Sequence, residues 1–274
     1  MKDDIEFVDI KNADSLISFL PQIQSLFLEC FNKPLSRELW EWAYLKNPCG
    51  QPLVSLAIVN GNVVGHYAVI PQSLNNSTQT LNGYLSMTTM VSAPYRRFGL
   101  FQLLAERVYS RIEATESPSV VYGFPNDNST AGFRKRLGWT ILEQYQVIQI
   151  MPKDWRHQSE LIGSYVADGS YYLDMSRDDI REWRCNKPGQ SWNIHDDVGL
   201  KEMNDVLDMM YYANVRKLQD VLASKPINII SPNVRAEDTD VEVEALFPYR
   251  FGFRVFNMDE PPSFFVQMCM SDVF

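Results

Sequence analysis

Two arginines and a glycine stand where an apolar, strand-like pattern gives way to a helical one. The stretch from Tyr84 to Leu104, YLSMTTMVSAPYRRFGLFQLL, begins apolar and β-branched and passes Pro94-Tyr95, Arg96 and Arg97. It reaches Gly99 before the helical spacing of Leu103, Leu104, Val108 and Ile112. A strand, loop and helix in that order leave unpaired N–H groups and a partial positive charge at the helix start, which suits a phosphate. Gly99 keeps the backbone open to close approach, and the arginines add charge. A glycine at such a turn also serves packing alone, so the loop by itself is a weak signal.

The neighbouring residues sharpen it. VSAPYRRFGLF resembles the acyl-CoA pyrophosphate loop of the GNAT acetyltransferase superfamily, Arg/Gln-x-x-Gly-x-Gly/Ala, with Arg96 and Gly99 on the pattern and Phe101 departing from its last position. A second stretch, Gly123 to Trp139, resembles the family segment Asn-x-x-Ala-x-x-Phe-Tyr-x-x-x-Gly-Phe. There Phe133, Gly138 and Trp139 match, Asp127 takes the asparagine position between Asn126 and Asn128, and Arg134 takes the tyrosine position. The two motifs follow in the family's order and at its separation.

The resemblance implies acetyl-CoA as cosubstrate and a small amine as acceptor. It places the cofactor against Arg96, Arg97, Phe98, Gly99, Leu100 and Phe101, with Asn126, Asn128 and Arg134 beside it. The thioester carbonyl would meet the backbone of Met90 and Val91, where strands 84–91 and 119–124 splay apart. LWEWAYLKNP, GHYAVIP and GFPN also resemble a GNAT subgroup found with surface-polysaccharide genes, which implies an amino-sugar acceptor. Two other readings stay open: a module that binds acyl-CoA without turnover, and a twin-GNAT aminoacyl transferase acting with charged tRNA.

The proton carriers are harder to read. Arg134 cannot replace a tyrosine as acid, because a guanidinium does not release its proton in proteins. A thiolate whose conjugate thiol titrates near about 8.5 leaves tolerably without full protonation. Tyr122, ending the adjacent strand, is a candidate donor, and His66, the one histidine of the first half, a candidate acceptor of the amine's proton. Each has a packing reading beside the catalytic one. The three histidines and four cysteines never cluster at zinc-ligand spacing, and neither a G-x-S-x-G elbow nor a G-x-x-x-x-G-K loop is present.

The elements that must hold these residues follow from pattern. IEFVDI reads as a strand; Asp14 caps a helical run in which Pro21 kinks the helix or starts a second; Ser36 caps RELWEWAYL. LVSLAIV and NVVGHYAVI joined by Asn60-Gly61 form a hairpin. A strand ending at Val91, the helix from Gly99, the strand SVVYGF, a short helix over 127–137 and one long strand WTILEQYQVIQI complete the first half. Met151 to about Gly169 reads as irregular. Beyond it an amphipathic helix spans Leu200–Leu222 and INII is a strand. DIREWRCNKPGQSW echoes ELWEWAYLKNPCGQPL, and LFPYRFGF echoes FRKRLGW. The expected fold is α/β with a mixed twisted sheet flanked by helices. Its expected division is 1–152, an acetyltransferase domain, and 153–274, a degenerate GNAT-like half without a cofactor loop that walls the acceptor site.

Composition bounds the function. The net charge of −9 disfavours nucleic acid or an anionic membrane as main partner. Residues 1–150 hold 12 Lys+Arg against 13 Asp+Glu, and residues 151–274 hold 13 against 21, so the acid sits in the second half. Scattered cysteines and the opening MKDDIEF are expected of reduced thiols in a cytoplasmic protein. No apolar run approaches the roughly 20 residues of a membrane span.

Overall fold

The computed structural model describes residues 4–10, 12–232 and 244–274. Strand β1 (Glu6–Ile10) leads to α1 (Ala13–Ser18) and α2 (Leu20–Phe31). Asn12 rather than Asp14 caps α1, accepting from Ser15 N at 2.8 Å, and Asp14 lies in the first turn, where a carboxylate favours the helix dipole. Pro21 falls in the first turn of α2, where its missing N–H costs no helix bond, so a second helix begins there. Ser36 caps α3 (Arg37–Tyr44) through Leu39 N. The hairpin of β2 (Leu53–Val59) and β3 (Asn62–Asn75) turns at Asn60 and Gly61, both at positive φ as a type I′ turn requires. Next come β4 (Thr80–Val91), a short 3-10 turn over Ala93–Phe98, α4 (Leu100–Glu113), β5 (Ser119–Gly123) and α5 (Asp127–Leu137). The α4 crossover brings β5 back parallel to β4.

Three expectations change from here. The stretch WTILEQYQVIQI is two strands, β6 (Thr140–Leu142) and β7 (Tyr145–Ile150), which lie in different sheets. The segment after Met151 holds a helix, α6 (Trp155–Ser164), that buries Trp155 and Ile162 while its remaining polar residues mask the period. After β8 (Tyr172–Leu173), α7 (Asp178–Cys185) and β9 (Asn193–His195), the predicted helix over Leu200–Leu222 is instead a hairpin. Its strands β10 (Val198–Met203) and β11 (Val206–Tyr212) turn at Asn204, which has φ 57°, and the short α8 (Val215–Gln219) follows. Asp208 to Tyr212 are buried without interruption, which an inner strand permits and an amphipathic helix does not. The chain continues as β12 (Ile227–Pro232), β13 (Glu244–Pro248) and β14 (Phe251–Phe256).

The strands form two sheets, ordered β1-β2-β3-β4-β5-β14-β6, with β8 also on β3, and β13-β7-β12-β11-β10-β9. Each half sends a strand into the other's sheet. β14 lies between β5 and β6, and β7 lies between β12 and β13, so a boundary at 152 does not separate the two sheets. The pairs β6–β7 and β13–β14 have matching places, each with two residues between its strands. LFPYRFGF therefore corresponds to the β6–β7 stretch and not to FRKRLGW. Arg250 from one turn donates to Glu143 of the other at 3.0 Å.

The other echo holds in space. Trp42 and Trp183 stack with centroids 4.5 Å apart and planes at 7°. Each indole N–H donates to the other's backbone carbonyl at 2.8 Å. Such reciprocity is the signature of a local two-fold, and it falls on the repeated Glu-Trp of α3 and α7. In the second sheet β11 and β12 are parallel with α8 between them, as β4 and β5 are about α4. The cores follow this plan. One joins α1 to α3, one face of the first sheet and residues from the second half such as Trp183, Phe251, Phe264 and Met268. The opposite face is closed by α4 and α5.

Candidate active site

The site is a fork in the first sheet. Pairing of β4 with β5 runs from Asn82–Ser119 to Leu85–Tyr122 and stops, while β4 continues beside β3 to Val91. Tyr122 therefore stands where the strands part. The Met90 side chain is buried, which leaves its backbone as the part that can face the fork. The Val91 carbonyl accepts from Arg96 Nε at 3.2 Å, tying the loop to the end of β4.

The loop at the start of α4 is open. Gly99 has φ 70° and open space where a Cβ would stand. No side chain caps α4. Gln102 and Leu103 N–H both reach Gly99 O at 3.1 Å, which leaves the Leu100 and Phe101 N–H groups outside the helix ladder. Arg96, Arg97 and Phe98 are exposed, with the Arg97 guanidinium 5.0 Å from the Phe98 ring centroid, and Leu100 is buried in the core. Phe101, the departure from the family pattern, is accommodated by α5. Its ring stands edge-on to Phe133 at 5.2 Å and would lie 3.1 Å from a Cβ on Gly132, so the glycine makes room for the phenylalanine.

On α5 the expected residues separate. Asn126 is the cap, accepting from Ser129 N at 3.1 Å, and Asn128 is exposed in the first turn. Arg134 pairs with Glu143, which also takes Arg250, and Arg250 reaches Asp127 at 2.6 Å. These partly exposed pairs tie α5 to the exchanged strands and each adds little stability.

His66 and Tyr122 lie on the face of the sheet covered by the helices of both halves. The Tyr122 ring is 5.8 Å from Phe251 of β14, and its hydroxyl has no hydrogen-bond partner among the described residues. Burial pushes it well above the usual tyrosine range, against the pull of the Arg184 guanidinium. His66 is 1% exposed, its Nδ1–H donates to Thr88 O at 2.8 Å, and its Nε2 has no partner among the described residues. Burial pushes its pKa down to about 4. Because the unfolded imidazole titrates near 6.5, His66 adds stability that is fully present above that pH and is lost as pH falls toward 4. The span corresponds to on the order of 3 kcal/mol. Urea unfolding from pH 7 to 4 should show this loss, with a shallower slope in His66→Asn; equal slopes would mean that the imidazole takes up its proton while folded.

Sequence reasoning missed four residues here. Tyr44 of α3 hydrogen-bonds the Thr88 hydroxyl, and Thr88 holds φ 50°, rare for a β-branched residue and costing about 1–3 kcal/mol. Arg184, fully buried, donates to the carbonyls of Cys269, Ser271 and Phe274 at 2.6 to 2.8 Å. Lys187 reaches the carbonyls of Asp272, Val273 and Phe274, and burial lowers its pKa to about 7. Together the two cations hold residues 269–274 against the core that contains Tyr122, with Cys269 and Met270 inside it. The repeat flagged their segment, but nothing local announced burial of a guanidinium.

A separate cleft of about 680 Å³ opens in the second sheet, lined by Trp192, His195, Glu202, Lys217 and Leu222 among others, and none of the expected site residues reaches it. Among the described residues no group of three His, Cys, Asp or Glu side chains is placed to hold a metal, and no helix is long and apolar enough to cross a membrane.

Residues 15–142 match the family model described as Acetyltransferase (GNAT) domain. No curated protein matches the chain in sequence. Among solved structures, the chain is similar to a GCN5-related N-acetyltransferase from Kribbella flavida at 15% identity and TM-score 0.61, over 93% of this chain and 72% of that one. It is similar to a GCN5-related N-acetyltransferase from Anabaena variabilis at 12% and 0.59, over 91% and 72%. It is also similar to the structure reporting a GCN5-related glucosamine N-acetyltransferase region in a fungal multi-domain GH3 β-N-acetylglucosaminidase, at 12% and 0.55, over 93% and 38%. At these identities the likeness speaks for the fold, and it spans both sheets. Taken with the loop and the fork, the family match identifies residues 15–142 as a GNAT acetyltransferase domain.

Proposed function

We propose that the protein moves an acetyl group from acetyl-CoA to the amine of a small acceptor, with amino sugars the first class to test. The observation that carries this reading is the coincidence at one end of the first sheet of three features: the parted strands, the open Gly99 loop with Arg96 and Arg97, and Tyr122 at the parting point. The loop N–H groups and arginines would hold the pyrophosphate, and the fork would admit the pantetheine and present backbone at Met90 and Val91 to the thioester carbonyl. Asn126 caps α5 and Asn128 lies in its first turn, and both would meet the cofactor from there, with Arg134 further along the same helix.

The amine attacks the thioester carbonyl carbon, the C–S bond breaks, the amine loses a proton and the sulfur gains one. Holding the two reactants together supplies much of the acceleration. Tyr122 is suited to give a hydrogen bond to the departing sulfur, since its raised pKa keeps its proton in place. His66, with a pKa of about 4, is a weak acceptor for the amine's proton at neutral pH. Residues after 152 form a wall of the acceptor side, since β14 flanks β5 and 269–274 is held against the same core. A glucosamine N-acetyltransferase region shares this fold, which makes amino sugars a natural panel.

Acetyl-CoA at about 100 times its dissociation constant should stabilise the fold by roughly 2.7 kcal/mol, a rise of several degrees in Tm. Thiol release with a panel of amino sugars and other amines then reads turnover. No thermal shift at millimolar acetyl-CoA would overturn the reading; a shift without turnover on any amine would favour an acyl-CoA-binding module.

A further inference from the structure

We propose that Tyr44 and His66 are positioning residues that hold a bulge in β4 and thereby fix where the fork opens onto the acyl thioester, an inference that rests on the acetyl-transfer reading for its catalytic consequence. The bulge is explicit in the register. His66 pairs with Met90 and Ala68 with Met87, so that Tyr67 alone faces both Thr88 and Thr89. A bulge of this kind bends its strand and interrupts the ladder. Here it follows the last β4–β5 pair, Leu85–Tyr122, and precedes Met90 and Val91.

Local preference does not keep Thr88 in this state. Its φ of 50° lies in the left-handed region, where glycine is the usual choice and a β-branched residue is strained. Two side chains from separate elements hold it. The Tyr44 hydroxyl of α3 meets the Thr88 hydroxyl, and His66 Nδ1–H from β3 donates to the Thr88 carbonyl at 2.8 Å. The two rings meet edge to face with centroids 6.2 Å apart, so each limits the other's movement. Tyr44 and His66 are 2% and 1% exposed, and water does not compete for these bonds. Removing either partner frees one side of a strained residue, and β4 relaxes toward a regular ladder that carries Met90 and Val91 with it.

The clamp gives His66 a duty distinct from proton transfer, and three variants of the full chain separate the two. His66→Leu removes the donor, His66→Asn offers an amide donor in its place, and Tyr44→Phe removes a single oxygen atom. In His66→Leu and Tyr44→Phe, amide exchange at Thr88–Val91 should speed about tenfold or more while exchange in α4 is unchanged. The acetyl-CoA kcat/KM should fall on the order of 10- to 100-fold, His66→Asn should recover most of it, and the acid limb of the pH profile should stay in place. Unchanged exchange at 88–91 in both variants overturns the clamp. So does an Asn variant as inactive as the Leu variant with a displaced acid limb, which would make His66 the proton acceptor. If His66→Leu fails to fold, Tyr44→Phe decides alone. If the unaltered protein neither binds nor turns over acetyl-CoA, the acetyl-transfer reading falls while the exchange measurement still judges the clamp.

Discussion

Expressed alone, residues 1–152 should yield no soluble monomer. The reason is topological: the first sheet lacks an inner strand without β14, and β7 loses both β12 and β13. Stopping at 152 leaves β5 and β6 with facing unpaired edges in the middle of a sheet, a template for aggregation. It also removes the buried Phe251, Phe253 and Phe256 of β14 and the stacked Trp183. Each such side chain contributes about 1.5–3 kcal/mol when fully buried, so their combined loss is comparable with a typical domain's whole margin of roughly 5–15 kcal/mol. The fragment should be found in aggregates, and co-expression with residues 153–274 should bring it into solution as a complex that binds acetyl-CoA. Size-exclusion chromatography and a thermal melt check this. A monomeric fragment with a cooperative melt, acetylating the same acceptor at an unchanged KM, would show that the second half is a separate module and contributes no wall to the site.

That interdependence was the least legible part of the sequence. The Ser36 cap, the Asn60-Gly61 hairpin and the turn into α4 at Gly99 are set by residues a few positions apart, and these the pattern revealed, while the α1 cap fell two residues before Asp14. The strand exchange depends on pairings more than 100 residues apart, such as Tyr122 with Phe253, and on a break at Glu143-Gln144 that carries neither glycine nor proline. The segment 200–222 misled because Leu200, Met203, Leu207 and Met210 fit a helical period as well as two strands do, and Asn204-Asp205 was the only sign of the turn. At the candidate site the geometry of the Gly99 loop was readable because it is set by backbone and glycine. The acceptor side was not, since its character comes from burial. Nothing beside His66 in the chain marks it as pushed toward pH 4, and nothing beside Thr88 marks its left-handed φ.

Gly99→Glu should leave the protein folded and abolish acetyl-CoA binding. A Cβ at residue 99 meets no heavy atom within 4 Å, so the side chain has room and the protein bears mainly the cost of φ 70° in a residue other than glycine, about 1–2 kcal/mol. Gly99→Ala carries that same cost without charge and is the control. The glutamate adds an anion beside the N–H groups of Leu100 and Phe101 and beside Arg96 and Arg97, which on the proposed reading would meet the pyrophosphate. One like charge about 4 Å from the pyrophosphate, at an effective dielectric near 20, opposes binding by about 4 kcal/mol, close to a thousandfold in affinity. The alanine variant should therefore melt a few degrees lower than the unaltered protein and still gain Tm with acetyl-CoA. The glutamate variant should melt at a similar temperature and gain nothing at millimolar ligand. Equal gains in the two variants would place the pyrophosphate away from this loop. Loss in both alike would show that the glycine's backbone conformation, and not the local field, controls entry of the cofactor.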